Sequence, residues 1–259
     1  MHILSLILDI VLACYVAWEV FWFNGRYRQL KQEIARGETG ARTRIYYRAL
    51  VFEWVSALLA LLALGFDWDK LNPKALALSG SSLIRLLSPN GSFDKGAAVG
   101  ILAGVAIGTL AFIVGRIRAN RGSARSSPAP VPRWRKLLPD FSALLPVSTH
   151  ERLLWAAVAV SAGICEEIVF RGWLLATLHN LVGLVGTGLI LVAAVMFGLA
   201  HAYQRTTGML LTALAGVLFC VLYVETGSLL MPILLHIAVD LRFAVLPAPR
   251  GEKVQASYA

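Results

Sequence analysis

Three short stretches of this sequence place ionisable side chains among apolar neighbours, in a set that can activate water. The first is Ser161-Ala162-Gly163-Ile164-Cys165-Glu166-Glu167-Ile168-Val169-Phe170-Arg171-Gly172-Trp173, which puts two carboxylates and a guanidinium into one apolar run. The second is Phe197-Gly198-Leu199-Ala200-His201 and the third His236-Ile237-Ala238-Val239-Asp240. One acidic or basic residue at mid-bilayer costs roughly 2.5–3.5 kcal/mol, so the first stretch alone costs on the order of 10 kcal/mol unless its charges are paired or hydrated. At helical spacing Glu167 and Arg171 are i,i+4 neighbours that can pair, while Glu166 points about 100° away and is the freer carboxylate. Phe197 with His201, and His236 with Asp240, each share one helix face. Glu166, His201, His236 and Asp240 are then the candidates to converge on one hydrated cavity. There a carboxylate can take a proton from water, one imidazole can orient the water or shuttle the proton, and a second can stabilise an oxyanion. The reaction class is hydrolysis.

Each of these residues alone has a plainer reading. An intramembrane histidine can be a hydrogen-bonded packing residue, and a Glu–Arg pair can be structural; the weight lies in the combination. His179, Asp9, Glu19 and Glu53 have no partners at motif spacing and read as interfacial or packing groups. Trp173 and Phe197 read as packing residues, and His2 has no interpretable context.

The elements that must position these residues are membrane helices. Of 259 residues, 58% are hydrophobic and 15% charged, with mean hydropathy +0.68; soluble domains average about 45–50% apolar and 25% charged. The net charge of +9 does not indicate a nucleic-acid partner, because the basic residues cluster between apolar runs and not on an aromatic-studded soluble face. Cys14, Cys165 and Cys220 sit singly in apolar segments, without C-x-x-C spacing, and read as small core hydrophobes and not as a disulfide framework or cysteine zinc site. The first apolar run, 3–23, has no basic n-region and no A-x-A-like site, and it carries Asp9 and Glu19. A retained helix is therefore expected there, not a removable signal peptide.

The pattern predicts an all-α, multi-pass transmembrane helical bundle of about seven spans, near 3–23, 50–66, 96–115, 153–178, 184–203, 208–224 and 229–246. Arg26, Arg28, Lys31, Arg36, Arg42, Arg44 and Arg48 follow the first span. Arg116, Arg118, Arg121, Arg125, Arg133, Arg135, Lys136 and Arg152 follow the third. The segment 67–95 is poorer in basic residues. The positive-inside rule then predicts the N-terminus out and the C-terminus in, with Arg205, Arg242, Arg250 and Lys253 inside and Glu225 on the opposite side. The run Ser126-Ser127-Pro128-Ala129-Pro130-Val131-Pro132 cannot continue a helix. Three regions follow: an N-terminal three-helix membrane part (1–118), a basic Pro/Ser-rich cytoplasmic linker (119–149) and a four-helix part carrying the chemistry (150–259).

Glu166-Glu167-x-x-x-Arg171, Phe197-x-x-x-His201 and His236-x-x-x-Asp240, in this order on successive helices, resemble the three motifs of the CPBP (CAAX protease and bacteriocin-processing, or Abi) family. That family includes the type II CAAX prenyl endopeptidases, and the resemblance covers about 150–246. Gly172-Trp173 and the run Thr226-Gly227-Ser228-Leu229-Leu230 with Pro232 also look like bacterial members. The resemblance implies an intramembrane peptidase of the bacterial inner (plasma) membrane, acting on a membrane-associated or prenylated protein substrate. It also implies Glu166 as the water-activating base with Glu167 and Arg171 in support, His201 sharing the water, and His236 with the residue four beyond on the oxyanion side. The eukaryotic enzymes carry Asn at that last position, whereas Asp240 stands here. A carboxylate donates to an oxyanion only when protonated, so Asp240 is read as orienting His236. No H-E-x-x-H spacing occurs, and a metal-free glutamate mechanism without a cofactor is expected; Glu166, His201 and His236 are the residues that would form a zinc shell.

Two other functions compete with hydrolysis. Intramembrane carboxylates and histidines also mark proton- or ion-coupled transporters, although no inverted repeat with interrupted helices is visible. A non-catalytic immunity or scaffold protein on the same fold is the other.

Overall fold

The computed structural model describes residues 2–67, 72–76, 78 and 141–244. The span expected at 96–115, the Pro/Ser-rich run 126–132, and Arg250 and Lys253 lie outside the described residues. Among those described there are six helices and no strand: α1 (His2–Ala35), α2 (Ala41–Ala63), α3 (149–182), α4 (Gly186–Ala200), α5 (Arg205–Thr226) and α6 (Leu230–Leu241). Each corresponds to one expected span, with shifted ends. Four regions are long and apolar enough to cross a membrane, at Ile3–Ala35, Ala41–Ala63, Thr149–Val182 and Ala202–Thr226. With 15 and 12 residues, α4 and α6 fall below the roughly 20 a full crossing needs.

The stretch expected as a basic loop after the first span is largely helical. Arg, Gln, Leu, Lys and Glu are all good helix formers, and they carry α1 on to Ala35, where Arg26 pairs with Glu33 at 2.6 Å. Only residues 36–40 turn, with Gly37 and Gly40 at φ 75 and 72, values that cost glycine nothing. The lipid-facing surface is marked by exposed Ile3, Leu4, Ile7, Trp18 and Phe21 on α1 and by Val51, Trp54 and Leu58 on α2. Cys165 and Cys220 are buried, but Cys14 is exposed on α1, so the core reading fails for that one cysteine.

The long helix α3 starts at a capping box: the Glu151 amide donates to Ser148 Oγ at 3.2 Å, and the Ser148 amide donates to Glu151 Oε2 at 3.3 Å. It runs as α-helix through Glu167, continues as a π-helix over Ile168–Leu174, and returns to α-helix over Leu175–Val182. His179 Nδ1 meets the Leu184 carbonyl at 3.1 Å in the turn that follows, which is the packing role expected of it.

Small residues let the helices approach closely. A Cβ at Gly163 would lie 2.9 Å from the Ile237 amide nitrogen, so α3 and α6 touch backbone to side there, beside His236. A Cβ at Gly198 would lie 2.7 Å from the Met209 carbonyl, which seats α4 on α5. The N-terminal pair packs directly on this group. Trp54 Nε1 donates to Ser161 Oγ at 3.0 Å, Arg42 Nε donates to the Ala143 carbonyl at 2.8 Å, and Tyr46 donates to the Leu144 carbonyl. Trp173 Nε1, in the π segment, donates to Asp9 Oδ1 at 2.7 Å.

Candidate active site

The ionisable groups of α3, α4 and α6 meet inside the bundle, and the two adjacent glutamates turn to different partners. Glu167 is fully buried and accepts two bonds on one oxygen, from Arg171 Nη1 at 3.0 Å and from His236 Nδ1 at 2.8 Å. Arg171, equally buried, also donates to the Gly216 carbonyl on α5 at 3.2 Å. Its guanidinium stands over the rings of Phe197, at 4.4 Å, and Phe219, at 5.1 Å. Phe197 is thus the packing residue expected: its ring fills the space between Arg171, His201 and His236. Its backbone does more, because its carbonyl meets His201 Nδ1 at 2.9 Å and fixes that ring.

Glu166 is 24 % exposed, and its Oε2 has no hydrogen-bond partner. That oxygen lies 4.0 Å from His201 Nε2 and 3.9 Å from His236 Nε2. Both gaps are too long for a direct hydrogen bond and fit one bridging water. Glu166 and His201, expected to activate water, and His236, expected on the oxyanion side, therefore point at one small volume. Asp240 is on the same side, with Oδ2 3.7 Å from His236 Nε2. That distance is not a hydrogen bond, so the expected orienting role belongs to Glu167, which holds the opposite ring nitrogen.

The anchors decide what each imidazole can do. A carbonyl only accepts, so the bond from His201 Nδ1 to Phe197 puts a proton on Nδ1 and leaves Nε2 free to accept one. His236 likewise donates from Nδ1, but to a carboxylate, and three acidic side chains surround the ring. Its Nε2 donates to a developing oxyanion only when the ring carries a second proton.

Glu166, His201 and Asp240 open onto a cavity of about 170 Å³ whose far wall comes from α1 and α2. Glu19, Glu53, Ser56 and Tyr203 line it as well. Tyr203 follows His201 in a short 3₁₀ turn, Ala202–Gln204, and packs edge-on against Phe23 at 4.8 Å and Tyr27 at 5.5 Å. The turn closes through Arg205 at φ 67, a conformation that strains a residue with a side chain. Glu53, Glu19 and Tyr203 were not singled out as site residues from sequence. The signal available was a carboxylate in an apolar span, which Glu53 and Glu19 both satisfy. Among the described residues, no group of three or more His, Cys, Asp or Glu side chains is arranged to hold a metal ion.

Fold and site together define a helical membrane protein with a carboxylate–imidazole centre among its helices. Residues 148–242, from the cap of α3 to the end of α6, match the family model of the Rce1-like type II CAAX prenyl endopeptidases. The proteins that this model describes are proteases, and the match covers the region that holds all of the ionisable groups of α3, α4 and α6 described above. No curated protein and no solved structure matches the chain.

Proposed function

We propose that this protein is an intramembrane endopeptidase that hydrolyses a peptide bond of a membrane-associated or lipidated substrate with water activated by Glu166 and His201. One observation carries the reading: the unpartnered, enclosed Oε2 of Glu166, a residue that lines the cavity, faces the Nε2 atoms of both histidines at 3.9–4.0 Å. Glu166 takes a proton from a water held against His201 Nε2, and the hydroxide adds to the scissile carbonyl. The oxyanion forms beside His236, and the proton on Glu166 passes to the leaving amine, so the carboxylate is regenerated. Glu167 and Arg171 hold His236 in place, while Asp240 adds negative charge beside it. Neither a metal nor another cofactor enters this scheme. Loss of cleavage on strong chelation, with recovery on adding zinc, would instead assign Glu166, His201 and His236 to a zinc shell.

The family match supports a peptidase, the resemblance to bacterial members supports a bacterial inner membrane, and the basic segments support an N-terminus out and a C-terminus in. His201 then ends its helix towards the cytoplasm, so substrates arrive from that side. The decisive experiment compares the N- and C-termini of membrane proteins in cells carrying the wild type and Glu166→Ala. Termini present only with the wild type identify substrate and activity together; identical termini, with both proteins inserted, overturn the reading.

A further inference from the structure

The cavity has two walls of different origin. The wall from α3 and α6 carries Glu166 and Asp240, whereas the wall from α1 and α2, outside the matched region, adds Glu19 and Glu53. Around them the lining is mostly apolar, with Val16, Val20, Phe23, Ile45 and Phe52 among the contributors. Four carboxylates line this space, and among the described residues that line it there is no lysine or arginine. Of the nearby guanidiniums, Arg171 is taken up by Glu167 and the Gly216 carbonyl, Arg48 acts on Glu19 and Arg242 on Asp240, whereas the charged groups acting on Glu53 are the carboxylates Glu166 and Asp240.

Glu53 is the informative member. It is 7 % exposed, it lines the cavity, and its Oε2 has no hydrogen-bond partner. Glu167 also leaves its Oε2 unbonded, but its other oxygen is held by Arg171 and His236. Among the described residues no hydrogen bond or ion pair engages the Glu53 carboxylate, and burying an unpaired polar group is costly. The donor Glu53 lacks is one that a ligand can bring, and an acidic, apolar-walled space selects for a cation on an apolar segment.

We infer that Glu53 forms a specificity subsite for a positively charged substrate group, an amine or guanidinium carried on an otherwise apolar chain. This subsite rests on the peptidase reading above. It lines the same cavity as Glu166, so the cation belongs to a residue near the scissile bond. The N-terminal helices thereby help choose the substrate that the C-terminal helices cut.

The test uses the full chain in lipid nanodiscs and an apolar host peptide in which each position flanking the scissile bond is in turn lysine or acetyl-lysine. The wild type should favour lysine at one position by about tenfold or more in kcat/KM, as expected for a buried charge pair, and Glu53→Gln should lose that ratio. No lysine preference at any position, or one that Glu53→Gln retains, overturns the subsite. Cleavage of the acetyl-lysine peptides, lost in Glu166→Gln, leaves the peptidase reading standing in that case. Ligand binding supplies a readout that needs no cleavage. Trp155 lines the same cavity, and its fluorescence should report hexylammonium binding about tenfold or more tightly than hexanol, with the difference abolished in Glu53→Gln. Equal binding of the two by the wild type overturns the subsite whether or not any peptide is cut.

Discussion

Glu166 and Glu167 are chemically identical neighbours in two unlike surroundings. On one side Glu167, Arg171 and His236 form a dry network under the rings of Phe197 and Phe219, in which one oxygen of Glu167 takes both bonds and the other takes none. On the other, Glu166, His201 and Asp240 border a cavity, and the Glu166 oxygen that faces both histidines is left unbonded. The dry side holds geometry; the open side is where a reaction can occur. Two carboxylates on consecutive residues thus divide structure from chemistry because a helix turns about 100° per residue.

That division can be broken from either side. The largest effect is expected from Glu166→Gln, which should lower turnover by about 10²–10⁴-fold, the usual contribution of a positioned base, while thermal unfolding in detergent stays at the wild-type midpoint. Arg171→Met should do the reverse. It leaves Glu167 buried without its cation, and breaking such a pair costs about 3–5 kcal/mol, seen as a lower unfolding midpoint before any effect on activity is assigned. If Glu166→Gln unfolds the protein and Arg171→Met only slows it, the division is reversed. His201→Ala should reduce turnover by roughly 10²-fold, with stability nearly unchanged because the ring is held by one carbonyl. Gly163→Val should lower stability by about 1–3 kcal/mol through overpacking against Ile237 and should also slow turnover, since it moves His236 away from Glu166. The smallest change is expected from Trp173→Phe, which removes the bond to Asp9 at a cost of about 1 kcal/mol and should leave kcat untouched.

Much of the matched region was legible in the sequence because cost made it conspicuous. The i,i+4 pairing of Glu167 with Arg171, the freedom of Glu166 and the approach of both histidines follow from helical spacing and the expense of charge in an apolar segment. What the spacing could not give was the tertiary bond from Glu167 to His236. It depends on how closely α3 and α6 cross, which Gly163 permits but does not announce. The orienting role expected of Asp240 failed for the same reason. Glu53 and Glu19 were read as packing groups because they lack partners at motif spacing; they enter the cavity only through the docking of α1 and α2. The helical ends were misjudged where basic residues, which mark a membrane boundary, also extend a helix into water.

The π-helical stretch Ile168–Leu174 lies directly after the two glutamates, and its i→i+5 closures hold one more residue than an α-helix would. Rewinding it as ordinary α-helix with every residue kept would swing everything beyond by about 100°, taking Trp173 off Asp9 and Leu175 out of the core while Glu166 and Glu167 stayed put. The helix therefore works as two separately phased rods joined by a spacer. The quantity that spacer must keep is the angle through which it winds.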